Sequence, residues 1–159
     1  MAAESKEDWI IVTKKSKKAK KSIANKKMDQ KYIITKVYEY ISTHTSAPMY
    51  CCIYGSVARN SHRVDSDVDI LLLYKGSKSN KSNPKTANAY ISIMEHELES
   101  ILGCSVDIRS YYVKDDVMYV PESSQQFIEN IMSDSLPVYQ HPTINKFANY
   151  FKSCIIERY

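Results

Sequence analysis

The chain lacks a hydrophobic run long enough to cross a membrane. No apolar stretch in its 159 residues approaches the roughly 18 that a spanning helix requires, so no membrane partner is expected. It also lacks the apolar N-terminal segment of a secretory signal. Cysteine is sparse and unpatterned. Cys51, Cys52, Cys104 and Cys154 form no C-x-x-C pair, and the first two are adjacent inside an apolar stretch. That usage reads as buried, reduced thiols in a cytoplasmic or nuclear protein. No internal repeat is visible. What remains is a globular composition, 43% hydrophobic and 25% charged, at a length that suggests one domain. A chain of this size buries about two-thirds of its unfolded surface, so it needs no staples. Thirteen tyrosines are many. Their rings and hydroxyls suit a half-buried surface or a stacking site, or reflect compositional bias.

The net charge of +4 is unevenly placed. Residues 1–28 hold nine lysines against Glu4, Glu7 and Asp8, whereas residues 29–159 hold 13 basic and 15 acidic residues. The positive charge therefore belongs to an N-terminal arm. Its run Lys14 to Lys21 repels itself and has no apolar face to bury, so residues 1–28 read as disordered. Such an arm suits nucleic-acid phosphates, an importer or plain solubility. Just before the run, Trp9-Ile10-Ile11-Val12 is a short apolar patch, suited to docking or to a sheet edge.

Asp29 is placed to cap a first helix, Gln30 to Thr43, with Ile33, Val37, Tyr40 and Ile41 at helical spacing. Met49 to Tyr54 and Val68 to Tyr74 read as buried strands. Lys75 to Thr86 reads as a loop. Ala87 to Leu102 forms a second long helix that Gly103 closes. Ser105 to Val113 alternates as a third strand, with Val106 and Ile108 facing opposite to Asp107 and Arg109. A short helix carries Phe127, Ile128 and Ile131, Leu136 to Tyr139 is extended, and a last helix runs from Pro142 to the end. Only residues 55–66 separate the first two strands, too few for an ordinary packed crossover helix. Those strands are therefore adjacent and antiparallel, or joined by a cramped helical turn. The expected class is α/β, a small mixed or antiparallel sheet with helices mainly on one face, not doubly wound. The expected divisions are the arm 1–28, a domain 29–140, and a C-terminal helix 141–159 packed on the domain or on a partner.

Two polar pieces at strand ends carry the chemistry: Tyr54-Gly55-Ser56-Val57-Ala58-Arg59-Asn60 and Asp65-Ser66-Asp67-Val68-Asp69. Residues two apart on a strand point to one face, so Asp67 and Asp69 stand side by side. Paired carboxylates without a basic neighbour gain from a cation between them, and hard oxygen donors suit Mg²⁺ or Mn²⁺. Gly55 directly after a buried strand permits a tight turn and close backbone approach to a ligand. Ser56 adds a hydroxyl and an N–H where neighbouring N–H groups can cradle a phosphate. Either piece alone is a common string. Together, eleven residues apart from Ser56 to Asp67, they put a phosphate cradle beside a metal pair.

Residues 54–73 resemble the core motif of the DNA polymerase β-like nucleotidyltransferase superfamily. They are most similar to its minimal members, with G-S-x-A-R followed by D-S-D-x-D and apolar residues. The resemblance spans about residues 30–140. It implies that Gly55 and Ser56 hold an NTP triphosphate, with ATP the first expectation, and that Asp67 and Asp69 ligate two catalytic Mg²⁺ or Mn²⁺ ions. The family's third carboxylate matches Asp107 in Val106-Asp107-Ile108-Arg109. Arg59 fits either a nucleotide contact or a structural pair with Asp65 or Asp69. His62 reads as a solvated loop residue, His96 as helix surface, and Asp115-Asp116 as a turn. Asn60 stands where a glycine is commoner. The implied activity is transfer of a nucleoside monophosphate to an acceptor hydroxyl, on a nucleic-acid 3′ end or a protein side chain, with release of pyrophosphate. The lysine arm points to nucleic acid; the lack of an acceptor domain points to a protein partner. The competing function is a non-catalytic adaptor that keeps the fold and binds nucleic acid or a protein.

Overall fold

The computed structural model describes residues 27–44, 48–76, 84–144 and 150–158. Residues 1–26 of the expected arm and 77–83 of the expected loop lie outside them. Helix α1 (Gln30–Thr43) buries Ile33, Val37 and Ile41, the positions that recur every four residues. Strand β1 (Tyr50–Tyr54) is buried at all five positions, which fits its short, dense apolar sequence. Gly55 turns the chain with φ 72° into the four-residue helix α2 (Gly55–Ala58). Strand β2 (Val68–Lys75) then returns antiparallel to β1. The short connection is thus both things its length allowed, a cramped helical turn between adjacent antiparallel strands.

Helix α3 (Pro84–Leu102) carries the chain back over the sheet, so that strand β3 (Val106–Lys114) lies parallel to β2. The helix starts at Pro84 rather than Ala87; proline is accommodated in a first turn because its missing N–H has no helical partner there. Asp115 and Asp116 form a hairpin turn with φ 51° and 62°, as the sequence suggested. Beyond it, strand β4 (Val117–Val120) pairs with β3. A 3₁₀ turn (Glu122–Ser124) leads into helix α4 (Gln125–Asp134), and strand β5 (Leu136–Gln140) covers the outer edge of β1.

The end of the chain departs from expectation. Instead of one helix to the terminus, residues 150–153 form a single helical turn, α5 (Tyr150–Ser153). Strand β6 (Ile155–Arg158) follows and pairs parallel with β4. The physical reason is tertiary. The β-branched pair Ile155-Ile156 meets the open edge of β4, and Ile155 N–H donates to Asp116 O at 2.8 Å. The result is a six-stranded mixed sheet in the order β5-β1-β2-β3-β4-β6.

Both sheet faces carry a core. The long helices α1 and α3 cover one, with Cys51, Ile53, Ile70, Leu72, Val106 and Ile108. The other is covered more thinly, by Ile128 and Ile131 of α4 and Phe151 of α5 against Tyr50, Cys52, Leu71 and Leu73. Phe151 is fully buried, and its ring centroid lies 5.7 Å from that of Tyr50. Phe151→Ala should therefore cost about 3–5 kcal/mol of folding free energy in urea titration; a loss below about 1 kcal/mol would show that the C-terminal segment does not complete this core. No described helix is long and apolar enough to cross a membrane.

Candidate active site

Strand alternation gathers the polar residues. Tyr54 lies opposite Asp69 across β1 and β2, and Asp69 lies beside Asp107 across β2 and β3. Val68, Ile70, Val106 and Ile108 point into the core under the long helices. Asp69 and Asp107 therefore point to the opposite face. Gly55 sits at the same end of the sheet. A Cβ built on it would meet Asp69 Oδ2 at 2.5 Å. The glycine thus meets two demands at once, a left-handed turn and a backbone held against a carboxylate. Asp67 is exposed just ahead of β2. Of the candidates, Gly55, Asp69 and Asp107 are brought into register, with Ser56 and Asp67 flanking them in sequence.

Neighbouring elements fix these pieces. The N-terminal half of β3 has β2 on one side only, and helix α3 supplies the missing acceptors. Glu99 Oε1 accepts from Val106 N–H at 3.1 Å and Glu95 Oε1 from Ile108 N–H at 2.9 Å. The two glutamates thus bracket Asp107. Helix α1 holds the other half. Gln30 Nε2 donates to the carbonyls of Val57 and Ala58 at 2.7 and 3.1 Å, and Lys27 Nζ donates to Asn60 O at 3.4 Å. Asn60 ends the short helix at φ 54°, the left-handed region that asparagine tolerates better than most residues, which accounts for its place where glycine is commoner.

His62 is not a solvated loop residue. It is only 4% exposed, and Nε2 lies 2.6 Å from Met28 O. Its Nδ1 is buried and has no hydrogen-bond partner among the described residues. The ring is tucked under the chain segment that leads into α1, a contact no local pattern announces. Arg59 pairs with neither Asp65 nor Asp69. Its Nη1 lies 3.6 Å from Asp134 Oδ2 at the end of α4, with both side chains more than half exposed. An exposed pair of this kind holds by at most about 1 kcal/mol, so a phosphate can draw the guanidinium away. His96 is exposed, as expected.

The electrostatics favour a cation. Partial burial, then the Asp107 and Asp67 carboxylates, push Asp69 up from 3.8 to about 6, against the pull of Arg109 and Arg59. Burial, followed by Asp69 and Asp107, also raises Tyr54. Three side chains to which the sequence reading assigned no role at the site complete this face. Arg109 Nε lies 3.7 Å from Asp107 Oδ2. Its guanidinium stands over the Phe127 ring, 5.0 Å from the centroid. Phe127 meets the Tyr54 ring edge-on at 5.5 Å. The available signal for Arg109 was its parity with Asp107; Phe127 comes from a distant helix and had none.

Among the described residues, no three His, Cys, Asp or Glu side chains are gathered as a ready-made cation cage. The donor set nevertheless fits Mg²⁺ or Mn²⁺. Its donors are hard carboxylate oxygens, two of the carboxylates in register, and burial followed by the neighbouring like charges disfavours ionisation of Asp69. A cavity of about 470 Å³, lined in part by Met49, Lys75, Lys114, Asp116 and Tyr150, opens at the far end of β2 and β3 and shares no residue with this site.

The sequence profile of the family described as Nucleotidyltransferase domain matches residues 50–138, more than half of the chain. The chain belongs to this nucleotidyltransferase domain family, which supports a general role in nucleotidyl transfer. Two solved structures are similar over most of the chain. One, a crystal structure of a toxin-antitoxin with AMP-PNP, is 14% identical over 69% of this chain and 74% of its own, with a TM-score of 0.48. The other, described as a candidate nucleotidyltransferase from Sulfolobus solfataricus, is 18% identical over 72% and 86%, with a TM-score of 0.41. No curated protein sequence matches the chain.

Proposed function

We propose that the chain transfers a nucleoside monophosphate from an NTP, ATP first, to an acceptor hydroxyl. The acceptor hydroxyl gives up its proton to solvent as its oxygen bonds to the α-phosphorus, the bond from that phosphorus to the β-phosphate bridge breaks, and pyrophosphate leaves with the electron pair. The observation that carries this reading is the abutment of Gly55 on Asp69, with Asp107 at the next register position. It brings a backbone turn suited to polyphosphate against a carboxylate pair suited to cations, inside the region that matches the family.

Asp67, Asp69 and Asp107 would hold two Mg²⁺ or Mn²⁺ ions. Such ions, when bound, lower the pKa of the acceptor hydroxyl and neutralise charge on the leaving pyrophosphate. The protein's own part is positioning. Gly55 lets the backbone approach the triphosphate, and Ser56 offers its N–H and hydroxyl. Arg59, released from Asp134, adds positive charge. Glu95 and Glu99 keep Asp107 in register, and Gln30 keeps the turn after Ser56 in place. The arm 1–28 supplies phosphate contacts if the acceptor is a nucleic acid; a protein acceptor would instead dock on the domain 29–140.

The test is incubation of the full chain with each α-labelled NTP and Mg²⁺ or Mn²⁺, against tRNA, DNA oligomers and cell lysate. Labelled product is then challenged with nuclease and with protease. Label that survives one and not the other names the acceptor class. Calorimetry with ATP and Mg²⁺ separates this reading from the adaptor. Equal heats for the wild type and an Asp67→Asn, Asp69→Asn double variant would leave only a non-catalytic role.

A further inference from the structure

We propose that Arg109 is a positioning residue that shares the Asp107 carboxylate with the divalent cation, weakening cation binding until the phosphates of an NTP draw the guanidinium away. The inference rests on Asp107 being a cation ligand, as argued above. Arg109 lies on β3 two residues after Asp107, on the same face, and its Nε reaches the Asp107 carboxylate at 3.7 Å. A positive charge at that distance competes with any cation for the same oxygen.

One further contact orients the guanidinium. It stacks over Phe127, 5.0 Å from the ring centroid. Phe127 and Tyr54 in turn pack edge-to-face. Arg109 thus sits where β3, α4 and β1 meet, beside the turn after Tyr54 where the triphosphate would lie. A guanidinium has five donors in a flat fork that suits phosphate as well as carboxylate. It is also 53% exposed, so a modest rotation transfers it from Asp107 to a phosphate oxygen. Cation and nucleotide then help each other bind, and because binding linkage is reciprocal, each raises the affinity of the other by the same factor.

The measurement is calorimetry on the full chain, with Mn²⁺ alone and then with Mn²⁺ and a non-hydrolysable NTP. Arg109→Gln should bind Mn²⁺ alone about threefold to fivefold more tightly than wild type, the upper range for loss of an exposed ion pair. It should bind the nucleotide about tenfold more weakly, so that the mutual enhancement shrinks. Arg109→Lys keeps the charge and should hold wild-type Mn²⁺ affinity within about twofold. Circular dichroism of both variants checks the fold. Should the glutamine variant bind Mn²⁺ no better than wild type, or the glutamine and lysine variants shift alike, the sharing of Asp107 is refuted. A wild-type chain that binds neither Mn²⁺ nor nucleotide refutes the reading of the site itself, which is a separate failure.

Discussion

Asp69→Asn is expected to lower nucleotidyl transfer about a thousandfold or more while making the metal-free protein harder to melt at pH 7.5. The first effect follows from removing one charge of a register pair, since cation stabilisation of a phosphoryl transition state is worth several kcal/mol and each 1.36 kcal/mol is tenfold in rate. The second follows from the raised Asp69 carboxyl. The folded protein holds its proton up to about pH 6, against 3.8 for the free group. An acid raised by folding contributes stability that is fully present below its ordinary value and is lost as pH rises through the folded value. Without divalent ions, the wild type should therefore lose stability between about pH 4 and pH 6. The asparagine variant, with no proton to release, should not show that loss. Thermal melts in EDTA from pH 4 to 8 read this directly. The gain should be largest above pH 6 and fade toward pH 4. Added Mg²⁺ should reverse the ranking by stabilising only the wild type. A variant less stable than wild type at pH 7.5 in EDTA would contradict the burial and like-charge crowding of Asp69 on which the site reading depends.

Gly55→Ala should be the most damaging change that alters no charge and removes no polar group. Gly55 holds φ 72°, where a side chain costs about 1–2 kcal/mol. The new methyl would also sit 2.5 Å from Asp69 Oδ2, well inside contact distance. Either the turn flattens or the carboxylate leaves its register with Asp107. Both outcomes displace the phosphate turn from the acidic pair by about an ångström, and misplacement on that scale costs about a hundredfold in rate. Steady-state kinetics should show the loss in both kcat and KM for the NTP. Divalent affinity measured separately should also weaken. Gly103→Ala is the matched control. It has a similar φ of 73°, yet its Cβ would meet nothing within 4 Å, so it should lose stability and keep its rate. Activity of the Gly55 variant within tenfold of wild type would mean that the close approach has no functional weight.

Much of this site was legible because strand parity is a local rule. The alternation of Val106, Asp107 and Ile108 placed Asp107 on the face of Asp69 before any pairing was known, and the parallel register puts the two side by side. The twelve-residue connection 55–66, by its length, narrowed β1 and β2 to an adjacent antiparallel pair or a cramped helical turn, and both are present. What stayed illegible depends on distant partners. Strand β4 has only four residues and a turn of two aspartates, a weaker signal than Asn-Gly. The terminal strand β6 needed the edge of β4 to override helical spacing. His62 looked solvated because its burial comes from Met28, 34 residues away. Arg59 looked like a nucleotide contact or a partner of Asp65 or Asp69, and the acid it meets is Asp134 from another helix. The triad of Arg109, Phe127 and Tyr54 joins three elements, so no single window of sequence contains it.

The fastening between the start of α1 and the bend after Ser56 also determines how force enters the molecule. Lys27, Met28 and Gln30 all bond to residues 57–62, so the chain enters its first helix beside the bend that follows Gly55. A displacement of residues 27–30 reaches Val57 and Asn60 through a few hydrogen bonds, without passing through the sheet.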